Sequence, residues 1–501
     1  MPPVFFFGRG DRMNLEDYLI EYHEQDIYPM HMPGHKRNTE RMRMANPYRI
    51  DVTEAGALDN LHEPSGILAE AMERCRRIFG SQKSFFLVNG STCGILAGIC
   101  AATRKGGKIL LSRACHKSVY NGMYLRELEG IYLYPERDAA FGVNGSISPE
   151  QVETALRAHP DVELVVLPSP TYEGVVSDVR TIGEICHRFG VPLLVDAAHG
   201  AHFGFSEGFP QRAILLGADL VVESLHKTLP AFTQTSVLHF NSNLVSERRL
   251  RQQLTLFQTT SPSYILMSGI DKCMEFLDSP ECPEAFVQYE ERLKNFGARM
   301  RTLQNIRVLC YGQDSLSSHP DFFGFDPGKI VISVGGTGMT GAELERMLRE
   351  KYRIQLEMAH GDYGIAMTSV FDTEEGFVRL EQALLELDGK LAHCPDRIAA
   401  AVSVSSCPMP AAVLSCTAAL EAAGTPTERK ACTDRVSQEY LYAYPPGIPI
   451  LVPGERLTKE VLDYIDALER TGTEIHSIAG DWPETIWTVP EKRIDEPDKK
   501  R

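Results

Sequence analysis

No uninterrupted apolar stretch in the 501 residues reaches the roughly 18 that a membrane-spanning helix needs. The patch Val4 to Phe7 is cut off by Gly8-Arg9-Gly10-Asp11, too soon for the apolar centre of a signal peptide, so a cytoplasmic protein without membrane contact is expected. A net positive charge is missing as well. The net charge of −16 argues against a nucleic-acid footprint and against docking on anionic lipid. Paired cysteines are missing too: the twelve cysteines, among them Cys75, Cys93, Cys100 and Cys186, are scattered through apolar segments with no Cys-x-x-Cys pair. Reduced, mostly buried thiols fit that pattern better than a disulfide or zinc framework. No internal repeat occurs. His31 and His35 have a spacing that would suit a metal on a helix, but Pro33-Gly34 between them makes a turn, so a structural or active-site loop is expected and no metal site.

What is present is the composition of a large globular chain, 43% hydrophobic and 24% charged. Residues 14 to 27 read as an amphipathic helix with Leu15, Tyr18, Leu19 and Tyr22 on one stripe, and a second helix spans Ile67 to Phe79. From residue 84 short apolar runs alternate with helical segments, the βαβ pattern of a parallel sheet covered on both faces. Strands are expected at 85–88, 108–111, 131–134, 163–167, 192–195, 220–222 and 236–240. Beyond them the chain turns mainly helical, with strands at 329–334 and 354–358, and an Ala/Ser/Pro-rich connection covers Ala399 to Pro426. The expected fold class is α/β, divided into 1–65 (N-terminal helix and loops), 66–285 (large domain), 286–395 (small α+β domain) and 396–501 (C-terminal domain).

The stretch from Asp219 to Phe240 places Ser224, His226 and Lys227 where one strand ends and before the next begins. Partial burial disfavours an ammonium group, so a lysine there could serve as a nucleophilic amine toward pyridoxal phosphate; an ordinary loop lysine would look the same. Four other predicted strands end in polar groups: Asn89-Gly90-Ser91-Thr92, Ser112 to His116, Pro168 to Gly174, and Asp196 to His199. Ligands of open α/β sheets sit beyond the carboxyl ends of the strands, so these five ends are expected to meet. A pyridoxal phosphate site needs a lysine, an acid for the ring nitrogen, a ring-face partner and phosphate donors. Lys227, Asp196, His116 and the group Gly90, Ser91, Thr92, Ser224 and His226 are candidates for those parts in that order.

The chain resembles the fold-type I Orn/Lys/Arg decarboxylases, in particular the short bacterial forms similar to biosynthetic arginine decarboxylase. The resemblance is carried by His31-Met-Pro-Gly-His-Lys36, Leu58-Asp-Asn-Leu-His62, Val88-Asn-Gly-Ser-Thr92, His116-Lys-Ser118, Asp196-Ala-Ala-His-Gly200, Ser224-Leu-His-Lys227, Thr233-Gln-Thr-Ser236, Thr259 to Tyr264 and Tyr444-Pro-Pro-Gly-Ile-Pro449 with Val452-Pro-Gly-Glu455. It implies an aspartate-aminotransferase-like large domain with a mainly parallel sheet and smaller α+β C-terminal domains. It further implies Lys227 as the Schiff-base lysine, Asp196 on the pyridine nitrogen, His116 on the ring face, and His199 nearby. Many members have Asp-Glu-Ala-His where this chain has Ala197, which implies tuned chemistry and no loss of it. The chain begins almost at the Pro-Gly-His-Lys loop, so a homodimer, or a dimer of dimers, with the active site at the subunit interface is expected, and decamers are not.

The activity so implied is decarboxylation of a basic amino acid in polyamine biosynthesis, arginine to agmatine first, with lysine or ornithine as alternatives. Glu455 is a candidate for the distal cation of the substrate, although a glutamate in a Pro-Gly-Glu turn can equally be a cap. An aminotransferase or carbon–sulfur lyase of the same fold stays open, because Arg353 could hold an α-carboxylate. So does a pyridoxal-phosphate-binding regulatory paralogue without turnover.

Overall fold

The computed structural model describes residues 14–56, 58–138, 140–312, 319–392, 408–443 and 447–490. The apolar runs form seven strands: β1 Lys83–Leu87, β2 Lys108–Ser112, β3 Glu129–Leu133, β4 Val162–Pro168, β5 Leu193–Asp196, β6 Leu220–Glu223 and β7 Ser236–Phe240. They make one sheet in the order β1-β7-β6-β5-β4-β2-β3. Only β7 runs against its neighbours. A sheet covered on both faces needs strands that are apolar on both faces, and every residue of β5, β6 and β7 is buried.

The second sheet is antiparallel: β8 Arg307–Leu309, β9 Lys329–Ser333, β10 Met358–His360 and β11 Tyr363–Met367, in the order β8-β9-β11-β10. The single strand expected at 354–358 is divided at Glu357. Ile354–Leu356 pairs in parallel with Tyr28–Met30, while Met358–His360 turns to pair with β11. One apolar cluster runs from Met30 and Phe79 through Phe286 and Tyr289 to Ile330 and Leu380, so the two sheets share a core.

The N-terminal loop ties these parts together. Lys36 is buried and its Nζ donates to the carbonyls of Pro29 (3.0 Å), His31 (2.8 Å) and Met367 (2.7 Å), with Asp372 3.7 Å away. Gly34 lies directly on the turn after Lys227: a Cβ there would come within 2.6 Å of the Leu229 carbonyl oxygen. The His31–Lys36 segment is thus a structural strap.

The helix Leu15–Glu24 forms with Asn14 as its cap; on its apolar stripe Leu15 (73%) and Leu19 (55%) are exposed, while Tyr18 and Tyr22 are half-buried. In the C-terminal region two three-stranded sheets flank the helix Lys459–Arg470. Ile448–Leu451 is an edge strand, where Pro449 is tolerated because one ladder side needs no donor. Tyr444 to Pro446, the Ala/Ser/Pro-rich stretch up to residue 407 and the charged end from residue 491 lie outside the described residues.

Candidate active site

Segments following β1, β2, β4, β5 and β6 line one cavity of about 630 Å³. Each supplies polar groups because the chain leaves the sheet there and backbone and side chains turn toward the opening. Ser224 follows β6, and Lys227 lies in the helical turn Leu225–Thr228. Its Nζ is 3.0 Å from Nε2 of His199. Burial lowers the basicity of Lys227, while Asp196 and Glu357 oppose that shift. Asp196 ends β5, buried, with one oxygen accepting from the Ala198 amide at 3.1 Å. Burial raises its pKa, and Lys227 pulls it back down.

His116 precedes the helix Lys117–Arg126, and its Nδ1 accepts from the Ser118 amide at 3.2 Å. A backbone N–H is always a donor, so the neutral ring carries its proton on Nε2. Burial first, then Lys227, lowers its pKa to about 4. His226 has the reverse tautomer: Nδ1 lies 2.8 Å from the carbonyl of Thr235, which can only accept. Its neutral ring therefore offers a lone pair at Nε2, and burial lowers its pKa to about 4.

The helix Gly90–Ala102 starts at the cavity with no side-chain cap on its first turn, and Gly90 adopts φ +74°, which favours glycine. Ser91 Oγ is 2.6 Å from Ser224 Oγ and donates to Ser236 Oγ at 3.1 Å. Uncapped N–H groups beside clustered hydroxyls suit a phosphate. Gly90, Ser91 and Thr92 all line the cavity, as do Ser224 and His226.

Glu455 is elsewhere. It is 1% exposed and absent from the cavity wall, its Oε2 accepting from Arg113 (3.1 Å) and from the Val452 amide (2.7 Å). A carboxylate spent on a buried ion pair is not available to a substrate. Arg353 also stays out of the cavity: it is an exposed residue with φ +57° at the end of the helix Gly341–Tyr352. One turn earlier Arg349 does line it, donating to Gln355 at 2.9 Å.

Two residues at the site, Glu357 and Lys329, were not apparent from the sequence. Glu357, where the chain changes partner strands, lines the cavity and accepts from Tyr172 OH (2.8 Å) and the Met32 amide (2.9 Å). Tyr172 itself packs edge-on against His199 at 4.7 Å. Lys329, the first residue of β9, is fully buried with Nζ 2.8 Å from Nδ1 of His199. The only clue to Glu357 was a charge inside an apolar run; for Lys329 there was none.

Two family models match the sequence. That of the Orn/Lys/Arg decarboxylase major domain covers residues 14–333, and that of the C-terminal domain covers 409–476. The chain belongs to the Orn/Lys/Arg decarboxylase family. This decarboxylase is 32% identical to arginine decarboxylase of Halalkalibacterium halodurans, over 97% of this chain and 99% of that protein. By structure it is similar to the constitutive lysine decarboxylase of E. coli, with TM-score 0.74, 20% identity, and 89% of this chain and 75% of that chain covered. It is also similar to a ureidoglycine-glyoxylate aminotransferase of Bacillus subtilis, with TM-score 0.52, 15% identity, and 71% and 93% covered. The fold is that of fold-type I pyridoxal phosphate enzymes, and the protein is a pyridoxal-phosphate-dependent decarboxylase of a basic amino acid. The cavity fits that cofactor: it holds a buried amine, a buried carboxyl and an uncapped helix start ringed by hydroxyls. Among the described residues no helix is long and apolar enough to cross a membrane.

Proposed function

We propose that the protein converts L-arginine to agmatine and CO₂ in polyamine biosynthesis, with Lys227 holding the cofactor covalently. In that reading Asp196 faces the pyridine nitrogen, His116 the ring, and Gly90, Ser91, Thr92, Ser224 and His226 surround the phosphate. The bound cofactor supplies an electron sink for the carbanion left at Cα when CO₂ departs. The chain's own residues do the rest. Asp196, buried at a strand end, keeps a proton on the ring nitrogen; His116 holds a flat face and an Nε2–H toward the cavity. The neutral Nε2 of His226 takes up a proton when a phosphate dianion arrives beside it.

The observation that carries the substrate assignment is Glu357. It and Asp196 are the two carboxylates on the cavity wall among the described residues, and Asp196 is committed to the cofactor. Tyr172 OH and the Met32 amide hold the Glu357 carboxylate in place, and its remaining lone pairs can accept from a guanidinium. The likeness to a relative named arginine decarboxylase supports the same choice.

The exposed Leu15 and Leu19 of the helix Leu15–Glu24, next to cavity-lining Tyr22, support a homodimer. The ten cysteines among the described residues are buried and none is in a disulfide, which supports a cytoplasmic site of action. Incubation of the purified protein and pyridoxal phosphate with arginine, lysine and ornithine separately, with the amine products resolved by chromatography, tests the assignment. Agmatine from arginine at the highest kcat/KM is expected. Cadaverine or putrescine in its place would reassign the substrate, and transamination of a keto acid without CO₂ release would overturn the reaction.

A further inference from the structure

Lys329 has 0% exposure at the start of β9. Its Nζ meets two acceptors, Met367 Sδ at 2.7 Å and His199 Nδ1 at 2.8 Å. A thioether accepts weakly, so the imidazole is the strong partner. The other nitrogen of that imidazole, Nε2, is the atom 3.0 Å from Lys227. His199 therefore bridges an amine carried by the large sheet and an amine carried by the small one.

A neutral imidazole has one N–H, which leaves two balanced arrangements. In the first, Lys227 is an ammonium donating to Nε2, and Nδ1–H donates to a neutral Lys329. In the second, Lys227 is a free amine facing Nε2–H, and Lys329 is an ammonium donating to Nδ1. They interconvert by shifting one proton along each hydrogen bond. The Nζ–H of Lys227 and the Nδ1–H break, while an Nε2–H and an Nζ–H on Lys329 form. No electrons are exchanged and the ring stays neutral with its tautomer inverted.

We propose that Lys329 is the buried end of a proton relay through His199 that keeps Lys227 a free amine. The proposal rests on the reading of Lys227 as the cofactor-binding lysine. Burial lowers the pKa of Lys329 to about 8, with Glu357 and Asp326 opposing that shift and Lys227 and Lys36 adding to it. The ring in between is held neutral, its pKa driven down by burial and then by Lys227, Lys329, His116 and His226. Asp196 and Glu357 act on the Lys227 end. Lys329 is a positioning residue: it reaches Lys227 only through the histidine.

The test uses the cofactor-free full-length chain and follows the rate at which added pyridoxal phosphate is captured covalently, read from its visible band across pH. This rate reports the free amine at Lys227 without turnover. Lys329→Met, close in size and without charge, is expected to raise the pH midpoint of capture by about one unit. In a His199→Gln background the same substitution is expected to leave the midpoint where it was. An unmoved midpoint in Lys329→Met would overturn the proposal, as would an equal shift in the His199→Gln background, which would make Lys329 a through-space charge. Failure of the wild-type chain to capture the cofactor at Lys227 would instead overturn the assignment of Lys227. A second measurement needs no Lys329 variant. With histidine labelled by ¹⁵N and assigned by subtraction of His199→Gln, the wild-type ring at neutral pH is expected as the Nε2–H tautomer. The Nδ1–H tautomer would contradict the relay.

Discussion

Glu357 and Glu455 have the same side chain in opposite circumstances. Glu455 closes an ion pair with Arg113 deep in the protein, whereas Glu357 opens onto the cavity, fastened by a phenol and an amide. Arg113 also donates to the carbonyls of Pro449 and Ile450, so loss of the Glu455 charge removes one charge-assisted bond, which costs about 1.5–3 kcal/mol. Glu455→Gln should therefore lower stability to denaturant by an amount of that order while the folded fraction keeps its kcat/KM. Glu357→Gln should reverse the pattern, with near-normal stability and a loss of tenfold or more in kcat/KM for arginine, since a charge-assisted hydrogen bond contributes about 1.5–3 kcal/mol. Equal kinetic losses in both variants would contradict this division. His226 sets a pH dependence of its own. Its folded pKa of about 4 lies below the ordinary 6.5, so between those values the unfolded chain binds a proton that the native chain refuses. Stability is lost as pH falls through that window. His226→Asn retains a donor for Thr235 without titrating. In the cofactor-free protein it should gain on the wild type by up to about 3 kcal/mol between pH 6.5 and 4, taking about 1.4 kcal/mol per pKa unit. Denaturant titrations at the two pH values check it; a constant difference would refute it.

At the scale of elements, the turn bearing Lys227 is held from outside by the Gly34 backbone, which takes up the space of any side chain. Gly34→Ala should push the strap off Leu229, lower the melting temperature and slow cofactor capture, even though it changes no polar group. A variant that captures cofactor at the wild-type rate would show that the contact does not matter. The seven strands of the main sheet were legible in the sequence because a doubly covered sheet requires unbroken apolar runs, and each run ended within about two residues of its observed limit. The same feature pointed to Lys227, Asp196 and His116, which line one cavity, since polar groups stand out where such runs stop. Tyr28–Met30 escaped notice because three residues carry no period, and β11 because Tyr363-Gly364 interrupts its apolar pattern. Glu455 was misplaced for a different reason. A turn glutamate reads the same whether it faces a substrate or a buried arginine, and only the fold brings Arg113 to it. Lys329 was invisible because a lysine at the start of a strand normally reaches water; its burial depends on β11 and on the loop carrying His199.

Across the whole molecule, the site is closed by parts of the chain that are far apart in sequence. Lys36 grips the Met367 carbonyl across 331 residues, and Tyr28–Met30 completes its ladder only with Ile354–Leu356. The strap fixes position, and it also has a meaning in time. Contacts at such separation carry the largest loop-closure cost and reward the chain last. The parallel sheet, built from neighbouring βαβ units, can assemble earlier. In refolding followed by pulse-labelled hydrogen exchange, amides of Leu110 and Val165 should become protected before that of Met30; simultaneous protection would contradict the sequence of events. A molecule caught between those moments would already carry Lys227 on its sheet, with the roof over it still missing. Competence to hold the cofactor would then mark the end of folding, and a chain that stalled short of it would be compact, ordered and inert.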